Sequence, residues 1–236
     1  MLLAVDSSTA QTGLALGDGS KLAAESIWYS RFHHTIELAP ALEELLRNAG
    51  ATVGDIEAIA VAIGPGSFTA LRVGLALVKG LALARNLPIV GVPTLDVLAA
   101  GQPASSLPLA AVLQAGRGRI ALGWYRPAGP KPENKAASVG GADFPWEAQG
   151  EAEITTVDAL AKSIEKPTLA AGELTLEERQ RLARKKVNVV LAPPYLCVRR
   201  PSVLLAIGWA RYKSGQVNDT AALAPIYLHL NDPIPA

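Results

Sequence analysis

An apolar run, Ile56-Glu57-Ala58-Ile59-Ala60-Val61-Ala62-Ile63, stops at Gly64-Pro65-Gly66 and passes at once into a long apolar segment from Phe68 to about Arg85. This junction constrains the fold more than any other stretch. The first run predicts a buried strand. Ser67 or Thr69 suits the capping position of the helix that follows. Free backbone N–H groups at such a junction can hold an anion. The plainer reading is a tight turn that leads into a core helix.

The helix that starts there is apolar almost all round. Ala70 and Gly74 lie four apart, as do Ala76, Gly80 and Ala84. Phe68, Leu71, Leu75 and Val78 form one stripe of large residues, and Val73, Leu77 and Leu81 form another. One stripe suffices to cover a sheet. Two stripes predict a helix covered on two sides, by its own sheet and by a second element. That second cover is either another part of this chain or a partner.

The flanking pattern extends the argument. Leu2–Val5, Thr12–Leu16 and Leu22–Tyr29 read as strands, the last two joined by a hairpin turn at Gly17-Asp18-Gly19. A helix follows, with Leu38, Leu42, Leu45, Leu46 and Ala49 on one stripe, Pro40 near its start and Gly50 as its C-cap. After the junction helix come a strand at Ile89–Val92 and a short helix at Thr94–Ala100. Three strands, helix, strand, helix, strand is the order of a ribonuclease-H-like lobe: an antiparallel meander, then right-handed crossovers. Residues 101–106 read as a linker. The second half repeats the theme more weakly. Its strands are Leu109–Leu113, Ile120–Tyr125, Thr168–Ala171 and Val187–Leu191; its helices are Val157–Ile164, Leu176–Arg184 and Val203–Tyr212. Pro127–Phe144 reads as an exposed excursion.

Composition narrows the function. Of 236 residues, 50% are hydrophobic and 18% charged, a globular balance. The net charge of +1 lacks the basic excess of a chain that grips nucleic acid on its own. Cys197 is the only cysteine, which excludes an internal disulfide and predicts a reducing, cytoplasmic setting; it reads as a small apolar filler rather than a nucleophile. The first residues lack the basic region of a signal peptide, and no stretch has the length of a membrane span.

Asp6-Ser7-Ser8-Thr9 after the first strand, Arg31-Phe32-His33-His34, and the run Gly-Pro-Gly-Ser-Phe-Thr-Ala-Leu-Arg from Gly64 together resemble the bacterial TsaB (YeaZ) family. That family's signature reads GPGSFTGLR, and Ala70 stands at its second-half glycine. The resemblance covers residues 1 to about 100, is weak through the middle, and returns at Pro225-Ile226-Tyr227-Leu228, followed by His229 where the family usually has Arg. It implies an α/β fold of two ribonuclease-H-like lobes of the actin/Hsp70-like kinase (ASKHA) type, the second reduced. Residues 1–100 would form the first lobe, used for partner docking. Residues 107–236 would form a degenerate second lobe whose C-terminal segment can return to the first. The implied role is a pseudoenzyme subunit in forming threonylcarbamoyladenosine in tRNAs that read codons beginning with A. Its partners would be a TsaD-like subunit, which binds ATP and metal, and a TsaE-like ATPase, with tRNA met only through the complex. The chain alone would require no cofactor and could pair with itself; ATP or ADP could sit at the partner boundary. A family-style interface from the first two helices would use Phe68, Leu71, Arg72, Gly74, Leu75, Val78, Leu38 and Leu42.

The residues can be weighed against that implication. Asp6 with Ser7, Ser8 and Thr9 could hold a hydrated Mg²⁺ and phosphate, or could merely satisfy a turn at a strand end. The corresponding turn of the second half reads Leu113-Gln114-Ala115-Gly116-Arg117-Gly118, with an amide where relatives often carry Asp. Only Gly172 of Ala170-Ala171-Gly172-Glu173 is left to contact a nucleotide base. This speaks against an autonomous kinase of the same fold. His33 and His34 are adjacent, so on a helix they point apart and do not form a metal pair; one of them would cap or pack at the helix start. Arg179, Arg181, Arg184, Lys185 and Lys186, with Arg199 and Arg200, read as solvated faces or as aids to tRNA placement. A scaffold for some other partner is the remaining alternative.

Overall fold

The computed structural model describes residues 1–30, 34–129, 144–184 and 188–228. Strands β1 (Leu2–Asp6), β2 (Gln11–Gly17) and β3 (Leu22–Tyr29) form an antiparallel meander. Helix α1 (His34–Asn48) leads to β4 (Ala58–Ala62), which pairs parallel to β1; α2 (Phe68–Arg85) leads to β5 (Ile89–Val92), parallel to β4. The sheet order is β3-β2-β1-β4-β5. Every residue of β1, β2 and β4 is buried, as in a sheet covered on both faces.

The second sheet reproduces this plan. Strands β6 (Leu109–Gly116) and β7 (Arg119–Pro127) form its hairpin, and β10 (Thr168–Gly172) and β11 (Val189–Leu191) add in parallel. The meander's third strand is split. Short β8 (Trp146–Ala148) and β9 (Glu153–Thr155) each pair with a different part of β7. Helices α4 (Val157–Ser163) and α5 (Leu176–Ala183) cover one face of this sheet through Leu160 and Leu182. The fold is therefore two ribonuclease-H-like lobes with the second reduced at its meander edge.

Alternation along the first sheet explains its layers. Leu3, Val5, Ile59 and Val61 face α1 and α2, whereas Ala4, Ala15, Ala58, Ala60 and Ala62 face the opposite way. The alanine face is covered by α6 (Pro201–Lys213), from the far end of the chain. Gly208 allows the close approach: a Cβ there would lie 2.3 Å from that of Ala60. The converse holds for α3 (Thr94–Ala100), which packs Leu95, Leu98 and Ala99 against the second sheet. A division at residues 101–106 follows the strands but not the helices. Each half of the chain lends its last helix to the other half's sheet.

Candidate functional site

The two sheets meet where β1 and β10 end. After β1, Asp6 Oδ1 accepts from the Ser8 backbone N–H at 2.9 Å and from Ser8 Oγ at 2.5 Å, closing an Asx turn. Ser7 Oγ donates to the Ala70 carbonyl at 2.8 Å, tying the loop to the first turn of α2. The Gly64–Gly66 turn rests on the same loop. Ser67 N–H donates to the Ser8 carbonyl at 2.7 Å, and a Cβ on Gly66 would come within 2.0 Å of that oxygen. The junction is thus a packed turn, its Ser67 capping α2, rather than an open anion nest.

Arg199 fills the centre of this junction. Its side chain is wholly buried. Nε donates to Asp6 Oδ2 at 2.9 Å, Nη1 to Glu173 Oε1, and Nη2 to Thr9 Oγ1 at 2.8 Å and to the Gln11 carbonyl at 2.9 Å. Thr9 Oγ1 in turn donates to Glu173 Oε1 at 2.5 Å. Burial works against the charge of Arg199, but Asp6 and Glu173 outweigh it and hold the guanidinium's pKa above the ordinary arginine value. From the second lobe, Gln114 Nε2 donates to the Glu173 carbonyl at 2.9 Å and to Glu178 Oε2 at 2.7 Å. A carboxylate at position 114 could not donate, and would face two acids.

This geometry corrects the reading of Asp6, Ser7, Ser8 and Thr9 as a phosphate loop. The Asp6 carboxylate already accepts three hydrogen bonds, and the space beside it holds a cation built into the chain. These residues do not fit a hydrated metal ion with phosphate. Glu173 and Arg199 were each visible in the sequence, one beside a glycine and one in a basic pair. Nothing local joined them to a loop 193 residues away from Arg199.

The expected interface residues also divide. Leu38, Leu42, Leu71, Leu75 and Val78 are buried in the first lobe's own core. Gly74 is buried too, because Ser7 packs on it; a Cβ there would come within 2.1 Å of Ser7 Oγ. Only Phe68 and Arg72 of the eight are exposed. The outward stripe of α2 is instead Thr69, Arg72, Ala76, Gly80 and Leu83, with Leu83 75% exposed and open space around Gly80. Phe68 and Arg72 hold the C-terminal tail. Tyr227 stacks on Phe68 at 5.1 Å, the Arg72 guanidinium lies 3.8 Å over the Phe68 ring, and Arg72 Nε donates to Tyr227 Oη at 3.3 Å.

Most of the basic residues are already engaged. Arg179 donates to the Ala192 carbonyl at 2.7 Å, Arg181 pairs with Glu177 and Asp158, and Arg200 pairs with Glu25. Arg199, fully buried, cannot reach a nucleic-acid phosphate. Lys185, Lys186, Arg31, Phe32, His33 and His229 lie outside the described residues, as does most of 127–144. His34 is buried at the start of α1, its Nδ1 3.1 Å from Thr12 Oγ1, and burial lowers its pKa. Cys197 packs beside Leu196 against the second lobe's core. Among the described residues no three His, Cys, Asp or Glu side chains converge as a metal site. No helix among them is long and apolar enough to cross a membrane.

Comparison with known proteins agrees with this architecture. A family model described as TsaD, tRNA N6-adenosine threonylcarbamoyltransferase, matches residues 29–138. The tRNA threonylcarbamoyladenosine biosynthesis protein TsaB of Bacillus subtilis is 34% identical over 125 residues, 53% of this chain and 55% of that protein. TsaB of Escherichia coli is 37% identical over 100 residues, 42% of this chain and 43% of that protein. These matches span about half the length of the curated relatives. Over nearly the full length, the structure of YeaZ from Pseudomonas aeruginosa superposes with a TM-score of 0.74 at 23% identity, covering 96% of this chain and 99% of that one. The chain is similar to TsaB (YeaZ) proteins, in sequence over about half its length and in fold over nearly all of it. Within the run from Gly64 to Gly74, three residues have a local job: Gly66 for contact with Ser8, Ser67 as cap, and Gly74 for contact with Ser7.

Proposed function

We propose that this chain is a non-catalytic subunit of the assembly that forms threonylcarbamoyladenosine in tRNAs reading codons that begin with A. It docks on a TsaD-like subunit through the outward stripe of α2 and lacks an activity of its own. The observation that carries this reading is the stripe itself. Ala76 and Gly80 leave a shallow track along an exposed helix, flanked by the partly buried Val73, Leu77 and Leu81. A glycine in the exposed interior of a helix costs about 1 kcal/mol relative to alanine. A partner helix that needs to approach closely would offset that cost. Arg199 on the Asp6 carboxylate supports the absence of phosphoryl transfer in this chain, and ATP or ADP would then lie at the subunit boundary. A TsaE-like ATPase joins the pair, and tRNA is met through the complex. Without the TsaD-like subunit, the same stripe pairs two copies.

Ala76→Arg and Gly80→Arg test the reading, because both positions face outward. Each variant should keep the parent's circular dichroism and cooperative unfolding yet lose co-purification with the TsaD-like subunit by tenfold or more. Reconstituted tRNA modification should fall with it. Undiminished complex formation in both variants would sink the interface.

A further inference from the structure

Beside the Arg199 cluster lies a cavity of about 250 Å³. Pro65 and Gly66 of the first lobe form one wall, Arg119 and Ala121 of β7 another, and Ile226 and Tyr227 of the C-terminal tail close the third side. Arg119 is the one charged residue of the lining; no carboxylate faces it there. Its Nε is buried and has no hydrogen-bond partner. Arg119 also takes part in none of the ion pairs among the described residues. A buried guanidinium N–H without an acceptor is unfavourable. Arg199, close by, shows the satisfied alternative, with every nitrogen engaged by the protein.

A second cavity, of about 460 Å³, shares Pro65 and the tail with the first but is lined by Asp96 and Glu151. Those acids disfavour an anion. Of these two cavities, the Arg119 cavity combines an unspent cation with an acid-free wall.

We propose that the Arg119 cavity binds the oxyanion group of a small ligand, a phosphate or a carboxylate, with Arg119 as the hydrogen-bonding fork. A guanidinium matches either group in a paired, planar geometry. The volume falls below the roughly 300–1,000 Å³ of pockets that enclose drug-sized molecules, so the ligand is small or inserts only its charged end. This proposal does not depend on the partner interface.

The full chain can be titrated with inorganic phosphate and, separately, with acetate, chloride being adjusted to keep ionic strength constant. A saturable rise of a few degrees in unfolding temperature is expected for one or both anions well above half-saturation. Response to phosphate alone assigns a phosphate group, and response to acetate alone assigns a carboxylate. Arg119→Met should abolish the response and, because it forfeits no protein hydrogen bond at Nε, should unfold without anion at no lower temperature than the parent. Arg117→Met, at the exposed tip of the same hairpin, should respond like the parent. In the unmutated chain the Arg119 Nε–H resonance should shift with the same saturation curve. No saturable response to either anion, an unmoved Arg119 resonance, or a response that survives in Arg119→Met overturns the site.

Discussion

At the scale of single residues, Arg199 carries the most. Its guanidinium is the shared donor for Asp6 and Thr9 of one lobe and Glu173 of the other; Arg199 and Asp6 are buried and Glu173 is mostly so. Arg199→Met would leave the two carboxylates without their common cation, and breaking a buried pair in this way costs about 3–5 kcal/mol. Urea unfolding of the variant should show that loss as a lower midpoint. Arg199→Lys should restore little, since an ammonium cannot reproduce the fork that reaches both acids at once. A variant as stable as the parent would mean that the cluster contributes nothing net. The sequence disclosed the parts of this site, Asp6-Ser7-Ser8-Thr9 and the amide at Gln114, because each sits at a legible turn. It did not disclose their partner: charge density alone gives Arg199 and Arg200 the same reading, yet one is buried and the other pairs with Glu25 at the surface.

At the scale of elements, α2 shows how far periodicity goes. Its span and Ser67 cap were legible, because an apolar run bounded by a glycine turn and a polar cap is local information. Which of its small residues faces outward was not. Gly74 and Gly80 look alike in the sequence, but one receives Ser7 and the other faces open space. Gly74→Leu should therefore cripple folding, whereas Gly80→Ala should stabilise the isolated chain by about 1 kcal/mol through helix propensity. Thermal unfolding of the two variants side by side separates these roles; destabilisation by Gly80→Ala would place that residue in a contact within the chain. Strands β8 and β9 escaped the sequence reading for a related reason. Each has three residues, too few for alternation to register, and pairing with β7 creates them.

At the scale of the whole molecule, the exchange of α3 and α6 joins the lobes more firmly than a linker would. Residues 1–106 expressed alone would lack α6 and would expose the alanine face of the first sheet. Such a fragment should aggregate or remain partly unfolded, and mixing it with residues 107–236 should restore a cooperative transition by circular dichroism. A fragment that folds independently would show that α6 is dispensable. The local patterns of the sequence determined the strands and helices of the first hundred residues, the turns between them and the lobe type they build, since hydrophobic period, caps and glycines act over a few residues. The tertiary structure alone decided which helix covers which sheet, which cation meets Asp6 and which edge of α2 stays free. Those outcomes depend on close packing and charge pairing between segments far apart in the chain, and no local period encodes them.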